Sequence, residues 1–248
     1  MRRAAALALS AAGFLPLAAW AAPPPAIDPQ VIRVLISPES ETTLVAPMTG
    51  QIATLGMTLG SAFKKGQTLV AFDCRENAAK LKIAAAELRA ARENYDAKVR
   101  LQGLQAAGDT EVKLAAAAVD RSLGQVDLAT AQSGQCGVAA PFAGRVAKIH
   151  VKQHQGVNVG APLAEIISNG PLKLRLNAPS RWLKSLQVGT PFEVKVDETG
   201  RSYPAKVSAI GARVDVTAQT IEIEGRFASA FPELLAGMSG SAQFPGLR

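Results

Sequence analysis

The sequence contains few of the residues on which enzymatic chemistry usually depends. Its 248 residues include only two histidines, His150 and His154, and two cysteines. It has no G-x-S-x-G nucleophile motif, no phosphate-binding loop, no dinucleotide fingerprint and no H-E-x-x-H zinc motif. Two histidines without further ligands nearby make an incomplete shell for a transition metal. We therefore expect no enzyme activity, no metal and no cofactor.

Aromatic residues are also scarce, and positive charge is dispersed. Only two Tyr and two Trp are present, and the net charge of +7 is spread along the chain rather than clustered. A nucleic-acid-binding protein is expected to carry a basic patch or stripe, or aromatic side chains on which bases stack. The sequence shows neither pattern, so nucleic acid is not expected as a partner.

The N-terminus has the three parts of a secretory signal peptide. A basic start (MRR) precedes an apolar run, which ends at the small-residue sequence AWA. The run is shorter than the roughly 20 residues of a membrane-spanning helix, and Pro16 interrupts it. We predict a signal peptide over residues 1–21, cleaved after Ala21, and a mature protein located beyond the inner membrane; an uncleaved anchor is the alternative.

One stretch of the sequence occurs twice. Residues 46–72 (APMTGQIATLGMTLGSAFKKGQTLVAF) align without a gap on residues 140–166 (APFAGRVAKIHVKQHQGVNVGAPLAEI) after a shift of 94 positions. Alternating apolar residues with glycines at equivalent places are typical of short β-strands joined by tight turns. Two such halves can form a flattened β-sandwich in which each covers the apolar face of the other. We assign residues 46–72 and 140–167 to this split domain.

The segment between the two copies, residues 73–139, has a helical pattern. Apolar residues recur every seven positions in two arms, at Leu81, Leu88 and Tyr95 in the first and at Val112, Val119 and Val126 in the second. Sevenfold spacing is typical of a coiled-coil seam. We predict an antiparallel coiled-coil hairpin with arms about 40 Å long, at 1.5 Å per residue. Asp109 or Thr110 is expected to cap the second arm.

The two cysteines flank this hairpin. Cys74 follows the last predicted strand of the first half, and Cys136 precedes the first strand of the second. An antiparallel hairpin places both at its base, and an isolated pair in an oxidising compartment is commonly bridged. We predict a Cys74–Cys136 disulfide; a pair of small buried thiols is the alternative.

Short alternating strands resume after the second half. Residues 171–248 contain several such runs separated by turn residues, which is typical of a small β-barrel or sandwich. Residues 31–45 are expected to join this domain as an N-terminal strand. The predicted fold is therefore mainly β with an α-helical hairpin: a split sandwich, an antiparallel coiled coil and a small β-barrel.

The two half-motifs, APMTGQI…KKGQTLVAFD and APFAGRV…GVNVGAPLAEI, split by a heptad hairpin, resemble the periplasmic adaptor (membrane fusion) proteins, the hemolysin-D-like and RND efflux adaptors. The segments PLKLRLNAPSRWLKSLQVGTPFEVKV and LLAGMSGSAQF are similar to that family's β-barrel. The resemblance covers nearly all of the mature chain. It implies a split lipoyl-like domain and assembly as a ring, often a hexamer.

The resemblance also implies partners and a contact. Adaptors bridge an inner-membrane transporter, of RND or ABC type, and an outer-membrane channel, so the chain would be periplasmic and held at the inner membrane through its partners. The family's hairpin tip carries an Arg, a Leu four residues later and a Ser seven beyond. Arg100 and Leu104 match; position 111 is Glu, and the nearest hydroxyl is Thr110. Only residues 22–30 precede the first strand, so the family's membrane-proximal domain is expected to be missing.

Two other classes of protein remain open. A lipoyl or biotin carrier subunit has a similar sandwich, but it presents a lysine on the turn between its halves. Here that turn is replaced by DCRENAAK, with Glu76 near the place of the lysine. A non-transport envelope coiled-coil protein would explain the signal peptide and the heptads, but not the duplicated halves.

Overall fold

The computed structural model describes residues 31–245, so the predicted signal peptide lies outside the described residues. Before the hairpin the strands are β1 (Val31–Ser37), β2 (Glu41–Val45), β3 (Gly50–Leu55), β4 (Ala62–Phe63) and β5 (Thr68–Phe72). The helices are α1 (Arg75–Gly103) and α2 (Asp109–Gly134). Four strands follow: β6 (Gly137–Ala139), β7 (Gly144–Ile149), β8 (Gly156–Val157) and β9 (Pro162–Ser168). The last five are β10 (Lys173–Pro179), β11 (Pro191–Val196), β12 (Ser202–Asp215), β13 (Thr220–Phe227) and β14 (Ser239–Gln243).

Six strands close into an antiparallel barrel in the order β1-β10-β13-β12-β11-β14. Alternate residues point inward because successive side chains of a strand face opposite sides. On β11, for example, Phe192, Val194 and Val196 are buried and the residues between them are exposed. A 3₁₀ helix (Ser180–Lys184) lies near one end of the barrel, where the buried Trp182 packs edge-on against Phe244. Closure leaves no free sheet edge in this domain.

The sandwich consists of two four-stranded sheets, in the orders β2-β9-β7-β4 and β6-β5-β3-β8. The shift of 94 positions carries β3, β4 and β5 onto β7, β8 and the first five residues of β9. Each sheet contains strands of both halves, because the short β4 pairs with β7 and the equivalent β8 pairs with β3. The duplicated sequence therefore folds as an approximately two-fold symmetric unit in which the halves exchange a strand.

Backbone hydrogen bonds between the halves repeat this symmetry. The Gly66 N–H donates to the Ala140 carbonyl, and the equivalent Gly160 N–H donates to the Ala46 carbonyl, both at 2.8 Å. Both glycines have left-handed backbone angles, with φ of 80° and 81°. That conformation is disfavoured for residues with a Cβ atom, which explains why the sequence repeats glycine at these two places.

The sandwich is connected to the barrel at one end and to the hairpin at the other. β5 runs into the hairpin, whereas the equivalent strand β9 runs into β10 of the barrel. The approximate two-fold axis that relates β5 to β9 also relates the two ends of the sandwich, so these two strands end at opposite ends of it. The barrel and the hairpin therefore extend in opposite directions. No helix within residues 31–245 has both the length and the apolar character needed to cross a bilayer.

The expectation of a single barrel strand over residues 31–45 is wrong in its second half. β1 lies in the barrel between β14 and β10, but β2 pairs with β9 in the sandwich. Pro38, Glu39 and Ser40 separate the two strands, and on β2 only Leu44 is buried. Likewise residues 137–139, assigned to the hairpin, form β6 and pair with β5. Both strands are too short and too exposed to show an apolar alternation.

Gly144 and Gly50 are equivalent residues with different surroundings. A Cβ atom at Gly144 would overlap the backbone carbonyl of Ile167, whereas one at Gly50 would meet only side-chain atoms at 3.5 Å. We expect Gly144→Ala to lower the free energy of unfolding by about 3 kcal/mol. Overpacking usually costs about 1–3 kcal/mol, and the upper end applies here because the backbone that the new Cβ would meet cannot easily move. Gly50→Ala should change it by less than about 1 kcal/mol. Chemical denaturation measures both; equal losses would contradict the assigned packing.

Candidate functional site

The hairpin is held together along the seam that the sevenfold spacing predicts. The buried residues are Ala84 and Leu88 on α1, and Ala115, Ser122 and Ala129 on α2. Small side chains at such positions allow two helices to approach closely. Ser122 was not identified from the sequence because a polar residue interrupts the apolar pattern. The 29 residues of α1 correspond to a helix about 43 Å long.

A disulfide joins Cys74 and Cys136 at the base of the hairpin, with their Cα atoms 5.9 Å apart. Cys74 lies between β5 and α1, and Cys136 lies between α2 and β6. The two crossings are adjacent because β5 and β6 pair, and the Phe72 N–H donates to the Cys136 carbonyl at 2.8 Å. The sandwich therefore brings the two cysteines together independently of the hairpin.

Polar contacts add to the base. The Asn77 side-chain amide donates to the Gln132 carbonyl at 3.2 Å, which connects the two helices. The Arg75 guanidinium donates to both carboxylate oxygens of Asp73, and together with the Arg75 backbone N–H it lowers the pKa of Asp73 below its ordinary value. Asp73 thus stays ionised beside the positive end of α1, where a negative charge is favourable.

The place where a carrier protein would present its lysine is occupied by helix. β5 passes into α1 within two residues, and Glu76 lies in the first turn of α1, where it pairs with Lys80 at 2.7 Å. The residues that would form an exposed lysine-bearing turn are therefore part of the hairpin.

The hairpin tip exposes two of the residues identified from the sequence, Arg100 and Leu104. Arg100 is exposed in the last turn of α1 and makes no ion pair or side-chain hydrogen bond within residues 31–245. Leu104, which follows α1 directly, has 77% of its surface exposed. Glu111 does not neutralise Arg100, because its carboxylate pairs with Lys98 at 2.7 Å. A cation and an apolar side chain therefore face solvent one helical turn apart.

The predicted cap of α2 is wrong. The residue before the helix is Gly108, and no side chain caps the helix end. Asp109 is already the first helical residue, and its carboxylate pairs with Lys113 one turn later at 2.6 Å. Thr110 follows in the same turn and is exposed. The structure thus brings Thr110 to the same end of the hairpin as Arg100 and Leu104.

The two histidines lie in the sandwich, away from the hairpin tip. His150 Nε2 lies 2.8 Å from Glu165 Oε1. His154 has a φ of 66° and occupies the left-handed position that Gly60, with a φ of 75°, has in the other half. Among the described residues, no group of three or more His, Cys, Asp or Glu side chains is arranged to hold a metal ion.

Comparison with solved structures identifies the fold. A MacA–MexA chimeric protein, containing the Pseudomonas aeruginosa MexA α-hairpin domain, superimposes with a TM-score of 0.74 at 20% identity, over 86% of this chain and 78% of its own. The membrane fusion protein Spr0693 from Streptococcus pneumoniae has a TM-score of 0.73 at 15% identity, over 86% and 97%. ZneB from Cupriavidus metallidurans has a TM-score of 0.58 at 22% identity, over 86% and 96%. The chain therefore has the fold of the periplasmic adaptor (membrane fusion) proteins, and the predicted fold class is confirmed.

Comparison of sequences adds a distant relative. An uncharacterized protein of Haemophilus influenzae is 25% identical over 194 residues, which is 78% of this chain and 51% of that protein. The chain thus spans about half the length of the curated relative it matches. No protein-family profile matches the chain.

The disulfide is expected to contribute measurably to stability. Cys74 and Cys136 are 62 residues apart in sequence, and closing a loop of that size should stabilise by about 4 kcal/mol in the chain-entropy model. We expect Cys74→Ser with Cys136→Ser to lower the free energy of unfolding by up to this amount, as measured by chemical denaturation. The native protein from the periplasm should resist alkylation until it is reduced. Rapid alkylation of both thiols without reductant would show that the bridge is not formed.

Proposed function

We propose that this chain is the adaptor subunit of a tripartite export or efflux system, bridging an inner-membrane transporter and an outer-membrane channel. The observation that carries the proposal is the hairpin, which projects about 40 Å from the sandwich and ends in an exposed leucine and an unpaired arginine. A hairpin that served only to stabilise the fold would gain nothing from placing these residues so far from the core. The chain itself has no catalytic task in this scheme.

The chemistry of the tip suits contact with the end of another helical hairpin. The Arg100 guanidinium offers five N–H donors, which can be accepted by exposed carbonyls at a helix C-terminus or by a carboxylate. Leu104 is exposed to 77% and would insert into a groove between helices. Thr110 adds a hydroxyl on the second helix. We assign these three residues to docking on the outer-membrane channel.

The similar structures support the proposal through the shared fold. Spr0693, described as a membrane fusion protein, shares the fold over 86% of this chain and 97% of its own. By that analogy the barrel end faces the inner membrane and the transporter, whether of RND or ABC type, and the hairpin faces the channel. The protein would then be periplasmic and associated with the inner membrane through its partners.

The hairpin also offers a surface for self-association into a ring, which we propose to contain six copies. A shallow groove of about 230 Å³ runs between α1 and α2 near the base. Ile83 and Leu128 border it and are exposed to 59% and 60%. Lys80 and Glu87, also at the groove, supply charges of both signs. We propose that the hairpin of a neighbouring copy covers this groove.

The tip hypothesis is tested by substitution. We expect Arg100→Asp with Leu104→Ser to abolish export and in-cell cross-linking to the outer-membrane channel. The melting temperature should change little, because both side chains are exposed and a surface charge contact contributes under about 1 kcal/mol. The matched control is Arg89→Asp with Leu123→Ser, which makes the same chemical changes in the middle of the hairpin. Retained export by a folded tip variant would exclude the tip as the contact.

The ring hypothesis makes a separate prediction. We expect Ile83→Ser with Leu128→Ser to reduce self-association, measured by light scattering of the purified protein and by cross-linking in the periplasm with the partners present. Both residues are already solvent-exposed in the single chain, so its stability should be preserved. Leu114→Ser, at an exposed position nearer the tip, is the control. If the unmodified protein is monomeric in both measurements, the ring is wrong.

A further inference from the structure

The end of the barrel that lies away from the sandwich, here called the distal end, is built from several separate segments. β1 begins there, and its first residue pairs with Gln243 near the end of β14. β10 ends there at Pro179, which pairs with Thr220 at the turn of the β12–β13 hairpin. The Ser180 N–H donates to the Gln219 carbonyl at 2.9 Å, which joins the 3₁₀ helix to that turn.

Two connections at the distal end, β10–β11 and β12–β13, expose apolar side chains. Leu183 on the 3₁₀ helix is exposed to 40%, Val188 in the following loop to 65%, and Val216 at the β12–β13 turn to 85%. Their positions are well defined, because Trp182 beside Leu183 is buried against Phe244. Scattered exposed apolar residues are common, but three on adjoining loops at one end of a domain indicate a contact surface.

The same two connections and the adjoining part of β12 carry exposed cations. Arg181 and Lys184 flank Leu183 on the 3₁₀ helix, and Arg213 lies on β12 near the turn. All three are exposed, and none forms an ion pair within the part of the chain that the structure describes. One nearby carboxylate, Asp215, accepts the backbone N–H groups of Thr217 and Ala218 through its Oδ1 and forms no ion pair with these cations among the described residues.

Three arginines elsewhere on the barrel are paired with carboxylates. Arg175 pairs with Glu222 at 2.6 Å, and Arg33 pairs with Asp197 at 3.0 Å. At the end nearest the sandwich, Glu39 accepts from Arg226 at 3.2 Å. The distal-end cations, which have no such ion pairs among the described residues, are therefore available to bind an external anion, whereas these paired arginines are not.

We infer that the distal end binds directly to a membrane surface containing anionic phospholipid. Basic residues near such a surface are attracted to it, and exposed apolar side chains beside them can enter the boundary between headgroups and acyl chains. The inference rests on the proposed function for its orientation, since a hairpin directed toward the outer membrane turns the distal end toward the inner one.

Vesicle flotation with the purified mature protein tests the inference. We expect binding to vesicles of phosphatidylethanolamine with about 30 mol % phosphatidylglycerol, and little binding to phosphatidylcholine vesicles. Raising the salt concentration from about 50 mM to about 300 mM should weaken binding, because the charges become screened. Leu183→Ser with Val216→Ser should weaken it at both salt concentrations, since apolar insertion does not depend on screening.

Charge reversal at the surface is the decisive variant. Arg181→Glu, Lys184→Glu and Arg213→Glu together should lower the binding constant for the anionic vesicles by at least roughly a hundredfold, because loss of the three positive charges alone accounts for that factor at about fivefold each. The matched control reverses three exposed lysines of the sandwich, Lys64, Lys65 and Lys152, and has the same net charge. It should bind within a few-fold of the unmodified protein. An equal loss in the control would overturn the inference, because net charge alone would then explain binding.

Two further outcomes separate this inference from the adaptor function. The tip variant, Arg100→Asp with Leu104→Ser, should bind vesicles as the unmodified protein does, so loss of export does not bear on the lipid contact. A photo-cross-linking residue at position 183 in cells should label phospholipid. Labelling of a transporter protein alone, or no binding of the unmodified protein to anionic vesicles, would overturn the inference while leaving the adaptor function intact.

Discussion

The reciprocal pairing of the two sandwich halves is the constraint on which the rest of the molecule depends. β4 completes the sheet of the second half, and β8 completes that of the first. Neither half forms its full set of pairing strands without the other. The 67 residues between the halves must therefore begin and end close together on the sandwich. An antiparallel helical hairpin satisfies this requirement, because its two ends lie side by side. The adjacent crossings at Cys74 and Cys136 follow from the pairing of β5 with β6.

The same symmetry separates the two surfaces that face other molecules. Because β5 and β9 are equivalent, the hairpin and the barrel leave the sandwich at opposite ends. Arg100 and Leu104 then lie at one extreme of the chain, and Leu183 and Val216 at the other. Each extreme combines exposed positive charge with exposed apolar surface, and the ion pair of Arg175 with Glu222 lies on the body between them.

The parts of the fold that were predictable are those with a periodic or repeated signal. Six of the eight sandwich strands could be predicted from the ungapped repeat. The repeat is visible in the sequence partly because equivalent turns require a left-handed glycine, at Gly66 and at Gly160. The heptads located both helices, because close packing at Ala84 and Ala115 requires small seam residues. The exchange of β4 and β8 was not predictable, since it depends on tertiary pairing of two-residue strands. The ion pair of Glu111 with Lys98 was also missed, because it joins opposite helices across the tip.

The bridge at the hairpin base has a mechanical consequence. Without it, tension applied to one helix would pass into a single strand, β5 from α1 or β6 from α2. With Cys74 and Cys136 joined across 5.9 Å between Cα atoms, a pull on either helix is divided between both strands before it reaches the sandwich. Two linked anchor points also resist twisting of the hairpin about its long axis, so torque at the tip is transmitted to the sandwich rather than lost in a swivel.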